Sequence, residues 1–469
     1  MNLPPSTNEL HNPRAIAVVD VGFTNTKVIL YDAQLHVLAE RKISSPHHEG
    51  RHYREIDVAP MLVFATEALR ELDAILPIDV IVPCSHGACI VALKSEGTLA
   101  VPVMDYMSEP PDNVRNDYQA IMPSFEESLS PLLPMALMHG MQLYWQSCVD
   151  PEGFAQVRTI LPLMQYIAFG LGGRAVTEVS SMSCQSHLVD MRTGAPSSIA
   201  TAQGWAQKFA PAANAWDDVG QLSPTRRGLN FQGRGRILAG VHDSNANYLR
   251  YLASGRSEFT LLSTGTWIIS FDTAADRAAV DLNRDIVANS DVFGRSVFCS
   301  RFFGGKEFEL IARGVPGESA SLAGVAMLVD RCTFARPSFS DSGGPMPNTG
   351  GKGHIEGALP ETADELSSLA SLYCALMTSE SLDGLSSRHA IIVDGPFSQN
   401  PVFLAVLAAL RPNQEVFASA ARDGTAAGAA CLALMPDGKL PHIEILLQKI
   451  TPASIPNLPD YQQLWREQS

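Results

Sequence analysis

AVVDVGFTNTKVILYD, residues Ala17 to Asp32, is the stretch from which the rest of the chain can be read. Ile16 to Val19 is a short run of buried-strand type, Val28 to Tyr31 is another, and Asp20, Gly22, Thr24, Asn25, Thr26 and Lys27 lie between them. That pattern predicts a β-hairpin with a polar, glycine-bearing tip. Gly22 has no side chain to keep a ligand off the backbone. The threonines and the asparagine offer neutral donors, Lys27 a positive charge, and Asp20 an oxygen ligand for Mg2+, directly or through water. Such a tip suits a polyphosphate, and on its own it equally suits an ordinary polar turn. It is not a Walker loop, which needs GxxxxGK[ST] and then a helix.

A second copy decides between these readings. Phe259 to Asp272, FTLLSTGTWIISFD, is again strand, hydroxyl-rich tip (Ser263, Thr264, Gly265, Thr266) and strand. Two such hairpins about half a chain apart predict two related domains, each directing one tip at the same ligand.

Composition narrows the classes. The 469 residues are enough for two or three domains with cores of their own, and 46% are hydrophobic, as in an ordinary soluble globular chain. A net charge of −15 argues against a nucleic-acid backbone or an acidic membrane as partner. No apolar run reaches 18 residues. The start, MNLPPSTNELHNPR, lacks the apolar core of a signal peptide, and residues 1–14 are expected to form a loose tail. None of the eight cysteines is in a CxxC pair, and they read as reduced core residues.

Further candidates come from strand ends, where ligands gather in α/β sheets. A buried strand near Asp79 to Val82 runs into His86, and Ala100 to Met104 leads to Asp105. His86 is a ligand or a structural histidine; Asp105 is a ligand or the start of a turn. VTEVSSMSCQSHLVD, Val176 to Asp190, is dense in the short hydroxyl side chains a sugar or polyol site needs, or is a serine-rich loop. Asp243 precedes a helical pattern over Ser244 to Leu252 and is either its cap or a general base. In the second half a strand over Ala390 to Val393 enters Asp394-Gly395-Pro396, and Gly424 to Leu434 is a helix of small residues, suited to close packing or to a flat ligand.

These segments together resemble the FGGY family of carbohydrate kinases, in the actin–hexokinase superfamily. DVGFTNTK resembles its first phosphate motif and LLSTGTW its second. IIVDGPFSQNPVFLAVLAAL with DGTAAGAACLAL resembles its adenosine motif, QLYWQSCVDPEGFAQVRTILPLMQYIAFGLGGRAVTEVSS its central segment, and GVHDS the segment with the catalytic aspartate. The resemblance implies an α/β chain of two actin-like (ribonuclease H-like) domains, 15–243 and 244–469, with the catalytic cleft between them. It implies ATP and Mg2+ as cofactors and phosphorylation of a ketose, deoxyketose or sugar alcohol, with Asp243 as general base. By the same resemblance Gly22, Thr24, Asn25, Lys27, Thr264, Gly265, Thr266, Gly395 and Asn400 bind the nucleotide and Asp20 the metal. His86, Asp105, Ser181, Gln185 and His242 meet the sugar. A cytoplasmic enzyme follows, with a small sugar or polyol as partner, no nucleic acid or membrane, and a homodimer as the oligomer. The SHG, TEVSS and DGP variants are similar to the rhamnulose- and fuculose-type branch. The chain departs from the pattern at Phe23, where a small residue is usual, at Asp394 and Pro396 beside Gly395, and at Gln142 and Met164, where lysines are common. Two other classes are a sugar or nucleotide sensor that keeps the fold, and an actin-like ATPase. Asp243, Lys27 and both tips argue against the sensor; the ATPase has no use for Asp105 or the 177–185 patch.

Overall fold

Strand Ala15–Val21 is buried along nearly all of its length because both faces of its sheet are covered. Side chains alternate between the two faces. Ala15, Ala17, Val19 and Val21 enter one core, packed against helices Val58–Asp73 and Leu163–Leu171. Ile16 and Val18 enter a second core with Ala246, Leu249 and Ala253 of helix Asp243–Ala253 and the alanines of helix Gly424–Cys431. The computed structural model describes residues 13–275, 281–341, 344–421 and 423–467.

The chain divides into two units, each built on a mixed sheet. In the first, strands run in the order Val37–Ser44, Asn25–Asp32, Ala15–Val21, Val80–Ser85, Arg236–Leu238, Asp218–Gln221, with Val241–His242 also on Val80–Ser85. The first three are antiparallel neighbours, and Val80–Ser85 and Arg236–Leu238 are parallel to Ala15–Val21. The second sheet follows the same plan: Ile286–Ser290, Ser296–Phe302, Ile268–Asp272, Phe259–Thr264, Ala390–Asp394, Val416–Ser419, Leu447–Lys449. Its Phe259–Thr264 hairpin is antiparallel, and Ala390–Asp394 and Val416–Ser419 are parallel to it. The duplication read from the two hairpins thus extends through five strands of each sheet. Helix Ala363–Gly384 of the second unit starts at a capping box between Thr362 and Glu365, which satisfies two of its orphan N–H groups.

The units divide differently from the expected 15–243 and 244–469. The first comprises 1–255, 289–296 and 425–443; the second comprises 256–288, 297–424 and 444–469. Helix Asp243–Ala253 therefore belongs with the first unit, because its apolar face completes that unit's second core. The small-residue helix Gly424–Cys431 closes on it: a Cβ at Gly428 would stand 1.9 Å from the Ala246 carbonyl oxygen. Close packing of two helices explains that composition, rather than a flat ligand. No helix among the described residues is long and apolar enough to cross a membrane.

Candidate active site

Asp243 is the first residue of helix Asp243–Ala253, and His242 is its N-cap. The aspartate is therefore not the cap. Its Oδ1 accepts the Ser244 backbone N–H at 2.5 Å and the Ser244 hydroxyl at 3.1 Å, and lies 3.1 Å from His242 Nε2. All three contacts fall on Oδ1, so Oδ2 is the oxygen left to act. Burial alone would raise this carboxyl, but the adjacent His242 outweighs it and holds Asp243 below the usual carboxylate range. A helix N-terminus favours the same charge.

Around Asp243 the chain gathers several of the expected residues. His242 Nε2 is 3.4 Å from Cys184 Sγ, and the Cys184 thiol donates to Gln185 Oε1 at 3.1 Å. His86 donates from Nδ1 to the Gly87 carbonyl at 2.7 Å, and lies within electrostatic reach of Asp243 and Asp105. Burial pushes its imidazole below the ordinary value. Phe23, from the first hairpin tip, packs 4.8 Å from the Tyr106 ring and 6.1 Å from that of His86.

Asp105 is fully buried, and one of its oxygens lies 2.9 Å from His47 Nδ1 and 3.1 Å from Arg54 Nε. Its other oxygen accepts the Met107 N–H at 2.8 Å. Its carboxylate thus ties the small hairpin His47–Glu49/Arg54–Ile56 to the site wall. The 177–185 patch also needs correction. Ser180 and Ser181 direct their hydroxyls at Glu178, 2.7 and 2.8 Å away, and Glu178 caps helix Val179–Ser183. The hydroxyls solvate a buried acid, so the Ser181 hydroxyl proton is committed to Glu178. Residues that the reading missed are His47, Arg54, Tyr106, His139, Cys184 and Asn245. The polar run HHEGRHYRE was the one available signal for the first two.

At the first tip, Asp20 and Lys27 are cross-strand partners, Thr24 is exposed, and Gly22, Asn25 and Lys27 are half-buried. The Ser45 hydroxyl donates to the Gly22 carbonyl at 2.7 Å, fixing the turn from below. Among the described residues no group of three His, Cys, Asp or Glu is arranged to hold a metal ion.

In the second unit Gly265 and exposed Thr266 form the tip. Thr264 does not join them: its hydroxyl donates to the Asp394 carbonyl at 2.6 Å and accepts the Phe397 N–H at 3.1 Å. Beside the tip is a pocket of 350 Å³ lined by Gly265, Gly305, Phe308, Gly317, Pro396, Phe397 and Asn400, among others, a size suited to a nucleoside. Asn400 contributes its surface only. Its side chain caps helix Pro401–Leu410 through the Phe403 N–H and donates to the Ser371 hydroxyl. Gly395 has φ +90°, and a Cβ there would stand 2.1 Å from the Thr264 carbonyl oxygen.

Residues 256–441 match the family described as carbohydrate kinase FGGY, C-terminal domain. The chain is 33% identical to a carbohydrate kinase from Novosphingobium aromaticivorans, over 97% of this chain and 98% of that one, with a TM-score of 0.82. The chain belongs to the FGGY carbohydrate kinases. Its fold is shared with xylulose kinase from Rhodospirillum rubrum (18% identity, TM-score 0.74, 97% of each chain). It is shared also with Plasmodium falciparum glycerol kinase with ADP (12% identity, TM-score 0.76, 97% of this chain and 96% of that one). No curated protein matches the sequence. As an FGGY kinase the protein is an enzyme that uses a nucleotide to phosphorylate a sugar or polyol. Two of this kinase's departures from the family pattern are buried and internal. Gln142 donates to the Ala88 and Ala136 carbonyls and accepts the Ile90 N–H, and Met164 lies against the Ser85 hydroxyl.

Proposed function

We propose that this FGGY kinase transfers the γ-phosphoryl group of Mg·ATP to a hydroxyl of a ketose, deoxyketose or sugar alcohol in the cytoplasm, with Asp243 as general base. The observation that carries the reading is the Asp243 carboxylate itself, with Oδ1 pinned by Ser244 and His242 and Oδ2 without a hydrogen-bond partner among the described residues. Oδ2 takes the proton as the acceptor oxygen attacks phosphorus, a contribution of roughly 10²–10⁴ in rate. Most of the remaining acceleration comes from positioning and from neutralising charge on the transferred group.

The nucleoside enters the 350 Å³ pocket of the second unit. Backbone groups at Gly22 and Gly265, the side chains of Thr24, Asn25 and Thr266, and the Lys27 ammonium bind phosphate oxygens. Gly395 serves by shape, since any side chain there would strike Thr264. With no three-ligand cage among the described residues, the protein's share of a magnesium site is the single carboxylate Asp20, which suits an ion that otherwise keeps water and phosphate. Magnesium, when bound, neutralises phosphate charge. His86 and Gln185 face the acceptor, with Phe23 and Tyr106 as its apolar wall; Asp105 shapes the site through His47 and Arg54.

The test is ADP release with Mg·ATP against ketoses, pentitols, glycerol, erythritol and deoxyketoses. One class of acceptor stimulates release. Asp243→Asn lowers kcat at least about 100-fold and keeps acceptor binding, as for loss of a general base. Near-normal turnover in that variant sinks the assignment.

A further inference from the structure

We infer that His242 is the positioning residue of the base and works as an imidazolium, clamped between Asn245 and Asp243, rather than as a ligand of the sugar. The inference rests on the reading of Asp243 as base.

Both ring nitrogens already have partners. Nε2 lies 3.1 Å from Asp243 Oδ1 and 3.4 Å from Cys184 Sγ, while Nδ1 lies 3.0 Å from the side-chain amide of Asn245. The side chain is 6% exposed. No nitrogen remains for a substrate hydroxyl, which removes His242 from the expected sugar ligands.

The amide of Asn245 bears on the proton count. With its nitrogen towards His242, Asn245 Oδ1 is buried without a partner. Amide oxygen and nitrogen exchange places on a half-turn. Turned so, Oδ1 accepts a hydrogen bond from Nδ1–H while Nε2–H still donates to Asp243. Two simultaneous donations require the cation.

Electrostatics favours the same state. Burial opposes a charged ring, but Cys184 and Asp243 outweigh it and lift His242 well above the ordinary histidine value. Of the other imidazoles around the site, His47 is taken up by Asp105, which outweighs its burial and raises it, and two do not compete. Burial lowers His139, at the start of helix His139–Val149, to about 3, and lowers His86 at the end of strand Val80–Ser85. Of these three rings His242 alone is raised. Its task is to hold Oδ1 still, so that Oδ2 meets the acceptor hydroxyl in one orientation. A carboxylate free to rotate would keep its affinity for protons and lose alignment.

The experiment has two arms. In the first, protein labelled with 15N-histidine is observed by NMR at pH 8, with the His242 signal assigned by its loss in His242→Gln. The expected result is a ring with both nitrogens protonated; a neutral His242 at that pH overturns the inference. In the second, ADP release is followed with Mg·ATP and whichever of xylulose, ribulose, erythritol and glycerol gives the highest rate. His242→Ala is expected to lower kcat about tenfold or more with acceptor KM little changed, the signature of an interaction made only in the transition state. His242→Gln, which keeps a donor towards Asp243, restores most of it. A raised KM with kcat intact would instead return His242 to the sugar and overturn the proposal. Failure of the base assignment is seen separately, in Asp243→Asn, and leaves the NMR result standing. If His242→Ala does not fold, the wild-type spectrum and the glutamine variant still decide.

Discussion

At the scale of single residues, chemistry-bearing side chains were legible by type and less so by occupation. Asp243 was singled out by the GVHDS resemblance; from the residues alone it was a cap or a base, and the structure gives the cap to His242. Ser181, Thr264 and Asn400 were not readable, because each is satisfied by a residue the sequence does not place beside it or by a local cap: Glu178, the Asp394 carbonyl, and the Phe403 N–H. A hydroxyl or amide in a motif does not reveal which partner claims it. Gly395 is the residue whose role follows most directly from geometry. With φ +90° and only 2.1 Å between a notional Cβ and the Thr264 carbonyl oxygen, Gly395→Ala is strained in backbone and in contact. The expected loss is at least about 1 kcal/mol of stability, with a raised nucleotide KM. Differential scanning fluorimetry with and without ATP checks it, since a distorted pocket reduces the shift that ATP produces.

At the scale of elements, the alternation of side chains along Ala15–Val21 and the repeated hairpin carried most of the information. Periodicity identifies a strand, and a strand apolar on both faces implies a covered sheet. The hairpin at His47–Ile56 escaped because its strands are three residues long and mostly polar, with Asp105 holding His47 and Arg54 and only Ile56 reaching the core. Helix Pro401–Leu410 gives an element-scale prediction. Asn400→Ala removes the bond to the Phe403 N–H and the bond to Ser371, and is expected to cost about 1–2 kcal/mol, as caps do. Urea unfolding checks the stability. The nucleotide KM should move less than threefold, because the amide's polar groups are taken by Phe403 and Ser371; a tenfold rise would show that they bind the nucleotide.

At the scale of the whole molecule, buried histidines set a pH dependence. Burial holds His139 at about 3 and His187 at about 4, so both are neutral in the folded chain. An unfolded histidine titrates near ~6.5. Between those values the unfolded state binds more protons, so this contribution to stability is complete above pH ~6.5 and is lost as pH falls to about 4 for His187 and about 3 for His139. Glu178 and Glu307, raised by burial, act in the opposite sense, so the comparison that isolates the histidines is between variants. The melting temperature of His139→Phe should fall less steeply from pH 6.5 to 4.5 than that of wild type; equal slopes would refute the assignment. The unit boundary was the least legible feature at this scale. A cut at Asp243 follows the motif, whereas the core follows apolar faces, and these place 425–443 with the first unit. The close approach of Gly428 to Ala246 therefore has a bearing on biosynthesis. A nascent chain still tethered to the ribosome at residue 255 carries helix Asp243–Ala253 without the neighbour that covers it, and the second unit awaits residues 444–469 in turn. Neither half is finished until residues 425–469 have been made. Separate expression of 1–255 and 256–469 is thus expected to yield two chaperone-bound, insoluble halves, whereas co-expression lets the late helix find its seat in trans.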